Sequence, residues 1–495
     1  MIFSLFVRKK RILTQVQCTE VGVTQKTKAG ILESAKYNLI YEYYKCRILF
    51  GDLQEGDYLS TIEQIGDIFQ VAPQTVRNAL KKLQSEGLIT VSAGRNTMVI
   101  HKTTPEETLR FTKNYYLSRK NVMEEVYLVA NLLLMPLYRK GCQMLTDADL
   151  LRISTTVRQG KSNIASISMF CCDLMMNKID NWLAKSLFLD MVSFFQFPYV
   201  PSFNEGSNED YQRNCRLLSH SCETLDRDGV FRAFTGLQAL TRKTLRDYID
   251  EATLELSVPG QIPFHWQTYR GRPQHCHTLA ANIIHEIITG KYAEKDLLPS
   301  YEIMSAEFDV SINTARRTID LLKDMGIINS INGVGKQILF SSPDWKKMRR
   351  PTMRNNADMA SESLEILLLS SKEIIHGYLP LLPDNEIGCL KKVLANKKDR
   401  RPMEIVILIA EYMTVAYPSD MVLETYSKLF EPLLLVYPLL SDRTPTIAET
   451  VSCCMEMMNR ALDDRDPKSF TQGFLELLDL SREAVVHIQQ ALRDQ

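Results

Sequence analysis

Two arginines at matching places in the chain have the chemistry best suited to specific recognition. Arg77 follows Gln74 by three residues, and Arg316 follows Asn313 by three residues, so each pair lies about one helical turn apart on a common face. An arginine can donate two hydrogen bonds to guanine O6 and N7, and an amide side chain can pair similarly with adenine N6 and N7. These four residues therefore predict contacts with base edges in a DNA major groove.

Smaller polar and basic side chains surround these pairs at spacings that suit phosphate contacts. Hydroxyl, amide and cationic groups bind backbone phosphates and fix the register of a protein on a duplex. The further residues predicted to bind DNA are Thr61, Thr75, Asn78, Lys81 and Arg95 in the first half of the chain, and Ser300, Ser311, Thr314, Arg317 and Lys336 in the second half. Of these, Arg95 and Lys336 lie at predicted hairpin tips, from which they could reach the minor groove or its phosphates.

The first set of residues lies in a pattern of three helices followed by two strands. Apolar residues recur at helical spacing in three successive segments, 39–48, 62–69 and 76–83. Gly87 is placed to end the third helix as its C-cap. The segments 88–91 and 97–100 are typical of short strands around a hairpin tip at 92–96. Three helices and a two-stranded wing make a winged helix-turn-helix, whose third helix enters the major groove.

The same pattern occurs a second time without a gap. Positions 71 and 310, 77 and 316, and 94 and 333 are each 239 residues apart. Eight residues recur in register: Gly51, Leu59, Val71, Thr75, Arg77, Gly87, Ile89 and Gly94 correspond to Gly290, Leu298, Val310, Thr314, Arg316, Gly326, Ile328 and Gly333. A repeat of this length and order indicates a duplicated structural unit.

Both copies resemble the DNA-binding module of the GntR family of bacterial transcription regulators. The first copy carries Gly56-Asp57, Leu59, Val71, Thr75-Val76-Arg77, Ala79-Leu80, Leu83 and Gly87, and the second carries Leu298-Pro299-Ser300, Val310-Ser311, Thr314-Ala315-Arg316 and Gly333-Val334-Gly335. The chain departs from the family pattern at Ser60, where the family has Pro, at Ala72, where it has Ser, and at Lys295, where it has Gly. The resemblance implies a sequence-specific regulator that binds double-stranded DNA.

The resemblance also directs attention to the effector domains of that family, one of which is a helical bundle with an Asp and three His around a metal. Only His220 lies in the first helical region of this chain, and only His376 and His487 lie in the second, so neither can supply three histidines. The pair His275 and His277 opens a predicted helix and lacks further ligands. We therefore expect no metal site and no cofactor, and the sequence assigns no effector-binding residues.

Composition is that of an ordinary globular protein of several domains. The 495 residues are 45% hydrophobic and 24% charged, and the formal net charge is zero, which argues against a generally basic nucleic-acid coat protein. The 11 cysteines are scattered without a Cys-x-x-Cys pair, which favours a cytoplasmic setting. No apolar run is long enough to span a membrane. Paired acid and base groups or nucleophile constellations do not stand out, so we expect no enzyme.

The sequence therefore predicts a mostly α fold that arises from tandem duplication of a winged helix-turn-helix followed by an all-helical bundle. The predicted divisions are an N-terminal extension at 1–30, a first module at 31–102, a first bundle at 103–256, a linker at 257–274, a second module at 275–341 and a second bundle at 342–495. We refer to the modules and bundles by these names below.

The predicted function is a sequence-specific DNA-binding transcription regulator whose two modules read two half-sites. The bundles would bind an effector or mediate dimerisation, so the expected partners are double-stranded DNA, a small-molecule effector and a second copy of the chain. The alternative is a helical scaffold or partner-binding protein whose modules no longer bind DNA. It is favoured by the charge of segment 275–340, which has six basic and eight acidic residues.

Overall fold

The structure is a computed structural model of the whole chain. It describes residues 40–69, 71–91, 97–160, 163–196, 209–266, 268, 275–339, 341–395, 401–416, 419–440 and 445–493. The predicted extension at 1–30 and the tip of the first wing at 92–96 lie outside these residues. Within them, no helix combines the length and the apolar character needed to cross a membrane.

The first module has the three helices and the wing that the sequence predicts. Its elements are helix α1 at 40–49, α2 (Ile62–Phe69), α3 (Pro73–Ser85), β1 (Ile89–Thr90) and β2 (Met98–Val99). The two strands pair antiparallel, with Ile89 opposite Val99. Gly51 and Gly87 have positive φ angles of 76° and 73°, a conformation that glycine adopts without steric cost.

The second module reproduces these elements at the offset that the sequence repeat gives. Its elements are α12 (His275–Ile288), α13 (Tyr301–Glu307), α14 (Ile312–Asp324), β3 (Ile328–Ile331) and β4 (Gly335–Ile338), where α4 to α11 belong to the intervening bundle. Helices α3 and α14 both have 13 residues and start 239 positions apart. Isolated bridges also correspond, since Tyr58 pairs with Met98 and Leu297 pairs with Gln337.

Each module is followed by a region that is entirely helical among its described residues. The first bundle contains α4 (Pro105–Leu117), α5 (Lys120–Val129), a π-helical turn (Ala130–Leu134), α6 (Met135–Gln143), α7 (Asp147–Arg158), α8 (Ile164–Asn177), α9 (Trp182–Phe195), α10 (Glu209–Glu223) and α11 (Arg227–Glu255). The second contains α15 (Trp345–Met348), α16 (Pro351–Tyr378), α17 (Asp384–Ala395), α18 (Pro402–Ala416), α19 (Asp420–Val436), α20 (Pro445–Asp463) and α21 (Pro467–Arg493), with short 3₁₀ turns at Leu379–Leu381 and Tyr437–Leu439.

The two bundles start corresponding helices with corresponding capping residues. Asn181 accepts a hydrogen bond from the Ala184 amide at the start of α9, and Ser419 accepts one from the Val422 amide at the start of α19. Asp226 and Asp466 cap the last helices, α11 and α21. Such caps satisfy amide donors that have no partner inside the helix. The correspondence supports a duplicated unit that includes the bundles as well as the modules.

The bundles pack against each other through reciprocal contacts. The Glu125 carboxylate of the first bundle accepts hydrogen bonds from Ser419 Oγ at 2.8 Å and from the Met421 amide at 3.1 Å. In the other direction, Glu362 of the second bundle accepts one from the Leu183 amide at 3.0 Å. A carboxylate from each bundle thus binds the first turn of a helix in the other, as in a twofold dimer interface.

The segment predicted as a linker contributes to this interface. The Trp266 indole is buried and donates to Ser186 Oγ of α9 at 2.9 Å, while its carbonyl oxygen accepts from Lys428 of α19. Phe264 is also buried and packs edge-on against Phe194. The segment therefore connects the bundles by packing as well as by covalent linkage.

The two modules differ in how they join the rest of the molecule. Core residues of the second module, including Ile284 and Leu322, belong to one continuous apolar cluster with both bundles. Those of the first module, including Ile40 and Leu80, form a separate cluster. Cys46 of α1 and Phe50, which directly follows α1, belong to the bundle cluster and connect the first module to it. The Phe50 ring contacts Phe111, Tyr115 and Tyr116 of α4.

Candidate nucleic-acid interface

Helix α3 of the first module presents a polar face to solvent because its apolar face is used for packing. Val76, Leu80 and Leu83 are buried against the other elements of the module. Pro73 occupies the first turn, where its missing amide hydrogen costs nothing. The opposite face exposes three of the predicted DNA-binding residues, Gln74, Arg77 and Lys81. Their spacing of three and four residues aligns them along the helix.

The other residues of the first module that were predicted to bind DNA differ in their contacts and their burial. Gln74 Nε2 donates to Asn78 Oδ1 at 3.1 Å, so these two amides present their remaining polar atoms together. Thr61 caps α2 by accepting from the Gln64 amide at 3.2 Å. The Thr75 side chain is only 8% exposed and packs inward. Arg95 lies outside the described residues. We leave Thr75 out of the proposed interface because of its burial.

Helix α14 of the second module exposes the corresponding polar face. Asn313, Arg316 and Arg317 are all exposed. Ser311 caps this helix by accepting from the Thr314 amide at 3.1 Å, and its hydroxyl also bonds the Thr314 hydroxyl at 2.8 Å. The first module has Ala72 at the equivalent position and no side-chain cap.

An aromatic ring connects the recognition helix of the second module to its wing. Ser300 caps α13, and the next residue, Tyr301, has Lys336 Nζ of the wing 3.4 Å from its ring centre. The guanidinium of Arg316 lies 5.8 Å from the same ring. Partial burial lowers the pKa of Lys336, although the Glu302 carboxylate opposes that shift. The sequence did not reveal Tyr301, because nothing in its local pattern shows that the wing closes over it.

Two acidic residues of the second module, Glu286 and Asp324, are paired with basic side chains. Glu286 bonds Lys291 at 2.6 Å, and burial raises the pKa of Glu286. Asp324, at the end of α14, is bound by Lys347 at 3.0 Å and Arg350 at 2.9 Å. Lys347 and Arg350 lie after the wing and outside segment 275–340. The net charge of that segment therefore leaves out positive charge that lies at the end of the recognition helix.

Other kinds of site find little support in the described part of the chain. It contains no group of three or more His, Cys, Asp or Glu residues placed to hold a metal ion. The neighbouring cysteines Cys171 and Cys172 are buried in the first bundle, where burial raises the pKa of both thiols. Of the aromatic residues around 194–203, Phe194 and Phe195 pack edge-on, while the rest lie outside the described residues.

Three solved structures are among those that are similar to this chain. A Streptococcus agalactiae GntR protein is 16% identical, the match covering 42% of this chain and 99% of that chain at a TM-score of 0.21. A GntR-family transcriptional regulator from Pseudomonas syringae pv. tomato str. DC3000 is 15% identical, with 47% and 92% covered and a TM-score of 0.20. Lar, which controls the Listeria monocytogenes agr system, is 14% identical, with 47% and 98% covered and a TM-score of 0.16. TM-scores this low carry no weight for the arrangement of the whole chain.

The family assignment depends instead on the sequence of the two modules. No curated protein matches the chain. The family model described as bacterial regulatory proteins, gntR family, matches residues 36–99 and again residues 277–338. These regions contain both recognition helices and the described strands of both wings. One polypeptide therefore contains two regions that match the gntR family of bacterial regulatory proteins, and each region is one winged helix-turn-helix module.

Proposed function

We propose that this DNA-binding regulator reads two half-sites of one operator with the two modules of a single chain. The observation that carries the proposal is the pair of recognition helices with exposed arginines at matching positions, Arg77 and Arg316. A family member with one module per chain would bring two copies together by dimerising. Here the second module is supplied by the same polypeptide, which raises its effective concentration at the second half-site.

Each residue of the proposed interface has a role that follows from its chemistry. Arg77 and Arg316 bind guanine, and Gln74 and Asn313 bind adenine or a phosphate. The remaining contacts position the modules on the backbone. They come from Thr61, Asn78, Lys81 and Arg95 in the first module, and from Ser300, Ser311, Thr314, Arg317 and Lys336 in the second.

The bundles are proposed to act as the dimerisation and effector-binding part of the protein. The reciprocal contacts of Glu125 and Glu362 support an internal dimer in which one bundle replaces the second subunit. An effector that changes how the bundles pack would change the distance between recognition helices, and so the affinity for an operator. A further pairing of two whole chains is compatible with this arrangement.

A gel retardation assay on the DNA upstream of the protein's own gene tests the DNA-binding part. We expect a complex that survives excess non-specific competitor DNA and weakens steeply as salt is raised. The double variant Arg77→Ala, Arg316→Ala should lose the specific complex while keeping its helical circular dichroism. If the unaltered chain forms no complex on this DNA or on any sequence from a random pool, the scaffold alternative is the better account.

A further inference from the structure

The first bundle contains a partly open cavity that its own packing leaves unfilled. The cavity has a volume of about 260 Å³, and α5, the π-helical turn, α6, α8, α9 and α11 supply its walls. Residues that line it include Ala130, Leu134, Tyr138, Cys172 and Phe188. An apolar cavity of about 150 Å³ can bind benzene, so this one has room for a larger molecule.

The corresponding place in the second bundle is closed. Leu367, Ser371, Ile375, Ala410 and Tyr426 stand where the first bundle has the five residues just named, and they line a space of only about 10 Å³. That volume is close to the minimum for one water molecule. The matching caps Asn181 and Ser419 support this correspondence between α9 and α19.

At three positions that line the cavity, the second bundle has a larger or more apolar side chain. Ala165, Ser168 and Gln238 line the cavity of the first bundle. Met403, Val406 and Leu478 take their places in the second, where all three side chains are buried. The second bundle therefore has larger or apolar groups at each position. Protein interiors are normally close-packed. The small or polar side chains of Ala165, Ser168 and Gln238 therefore leave a space that a bound molecule could fill.

The cavity also offers hydrogen-bonding groups that the protein itself uses poorly. Arg242 lines it, and the buried Nε of this residue has no hydrogen-bond partner within the described structure. A terminal nitrogen of the same guanidinium is held by Glu124. Gln238 donates to Cys172 Sγ at 3.0 Å, and sulfur is a weak acceptor. A buried donor without a partner costs free energy that a bound oxygen would recover.

We propose that this cavity binds one mainly apolar molecule per chain, and that an acceptor oxygen of the molecule, such as a carbonyl or carboxylate oxygen, bonds Arg242 and Gln238. Among the described residues of the second bundle, the corresponding space of about 10 Å³ is too small for such a molecule. The biological meaning of the site rests on the proposed regulatory function, in which it is the effector site. The π-helical turn forms part of its wall and also packs against α16 of the second bundle, so the ligand would lie beside the contact between the halves. Such turns are frequent at functional sites.

Direct binding of a fluorescent probe to the full chain tests the inference without DNA. The probe is prodan, a naphthalene with a propionyl carbonyl and a dimethylamino group, whose emission shifts to the blue in apolar surroundings. We expect saturable binding of one probe per chain. Acetylnaphthalene should displace it more effectively than naphthalene, which has no acceptor oxygen. Absence of saturable binding, or two equal sites per chain, would overturn the proposal.

Two variants distinguish this cavity from any other place where the probe could bind. The triple variant Ala165→Met, Ser168→Val, Gln238→Leu gives the first bundle the residues of the second and should abolish binding. Arg242→Lys keeps a charge for Glu124 but lacks Nε, so acetylnaphthalene should bind about tenfold more weakly while naphthalene is unaffected. The second bundle supplies the control, because Met413→Leu beside its small space should change nothing.

Each outcome has a definite meaning for the inference. Unchanged probe binding by the triple variant would show that the probe lies elsewhere and would overturn the assignment. If the triple variant fails to fold, an equal effect of Arg242→Lys on acetylnaphthalene and naphthalene would overturn the proposed contact. Because no DNA is present, the cavity can fail these tests while the retardation assay succeeds, and the reverse also holds.

Discussion

At the scale of single residues, the proposed function depends on two arginines and their immediate neighbours. Arg77 and Arg316 occupy the same position of α3 and α14, and both are exposed. The residues around them differ, since Asn78 corresponds to Arg317 and only the second module has the Tyr301 ring beneath its arginine and its wing lysine. The two modules therefore share the arginine that is proposed to read a base, and they differ in the side chains around it.

Removing one arginine should affect one half-site only. We expect Arg77→Ala to cost about 1–3 kcal/mol of binding free energy and to relax the sequence preference at a G·C pair in the half-site read by the first module. Arg316→Ala should do the same in the other half-site. Binding titrations on operators with single base changes measure this. The control is Lys81→Ala, which should weaken binding to all sequences alike and reduce the salt dependence.

At the scale of elements, the modules have the same backbone in places where their sequences differ. Gly56 has a φ of 95° in the turn before the first wing contact, and Lys295 has a φ of 76° at the equivalent position. Both amides bond the last strand, to Val99 at 2.9 Å and to Ile338 at 2.8 Å. The hydrogen bonds hold a lysine in a conformation that suits glycine, at a cost of about 1–2 kcal/mol.

Relieving that strain should stabilise the second module. Lys295→Gly should raise the free energy of unfolding by up to about 1 kcal/mol, because the added chain flexibility of glycine in the unfolded state offsets part of the gain. Urea unfolding followed by circular dichroism measures the change. The matched substitution Gly56→Lys should destabilise the first module. A loss of stability from Lys295→Gly would contradict this expectation. It would show that the lysine side chain stabilises the module by more than the strain of its positive φ angle destabilises it.

The elements also show which features a sequence can predict. The positions of α3 and α14 can be predicted from local signals. These are the apolar stripe of each helix, which in α3 includes Val76 and Leu80, and the glycine that follows each helix. Burial of Thr75 was missed because its position on the edge of that stripe is decided by packing. The contact of Glu125 with Ser419 joins residues 294 positions apart, and no pattern within either helix indicates it.

At the scale of the whole molecule, the chain is organised around the contact between its two bundles. Glu125 and Glu362 each bind backbone amides at the start of a helix in the other bundle. The second module shares the apolar core of both bundles, and the first has a core of its own. This arrangement fixes the second module to the bundles more extensively than the first.

Breaking one of the reciprocal contacts should destabilise the protein because it removes the acceptor that Glu125 provides for the Met421 amide. We expect Glu125→Ala to lower the free energy of unfolding by about 1–3 kcal/mol. Denaturant unfolding of the full chain measures this, with the exposed Glu483→Ala as a control that should have little effect. An effect of Glu125→Ala no larger than that of the control would mean that this contact does not stabilise the interface.

The most direct test of the central claim is selection of binding sequences from a random DNA pool by the full chain. A dimer of identical modules would impose a symmetric palindrome, whereas two modules with different neighbours around a shared arginine are free to read different bases. We predict two enriched half-sites at a fixed spacing, with a common G·C pair and unlike flanking bases. Enrichment of a perfect palindrome, or of no motif at all, would contradict the account.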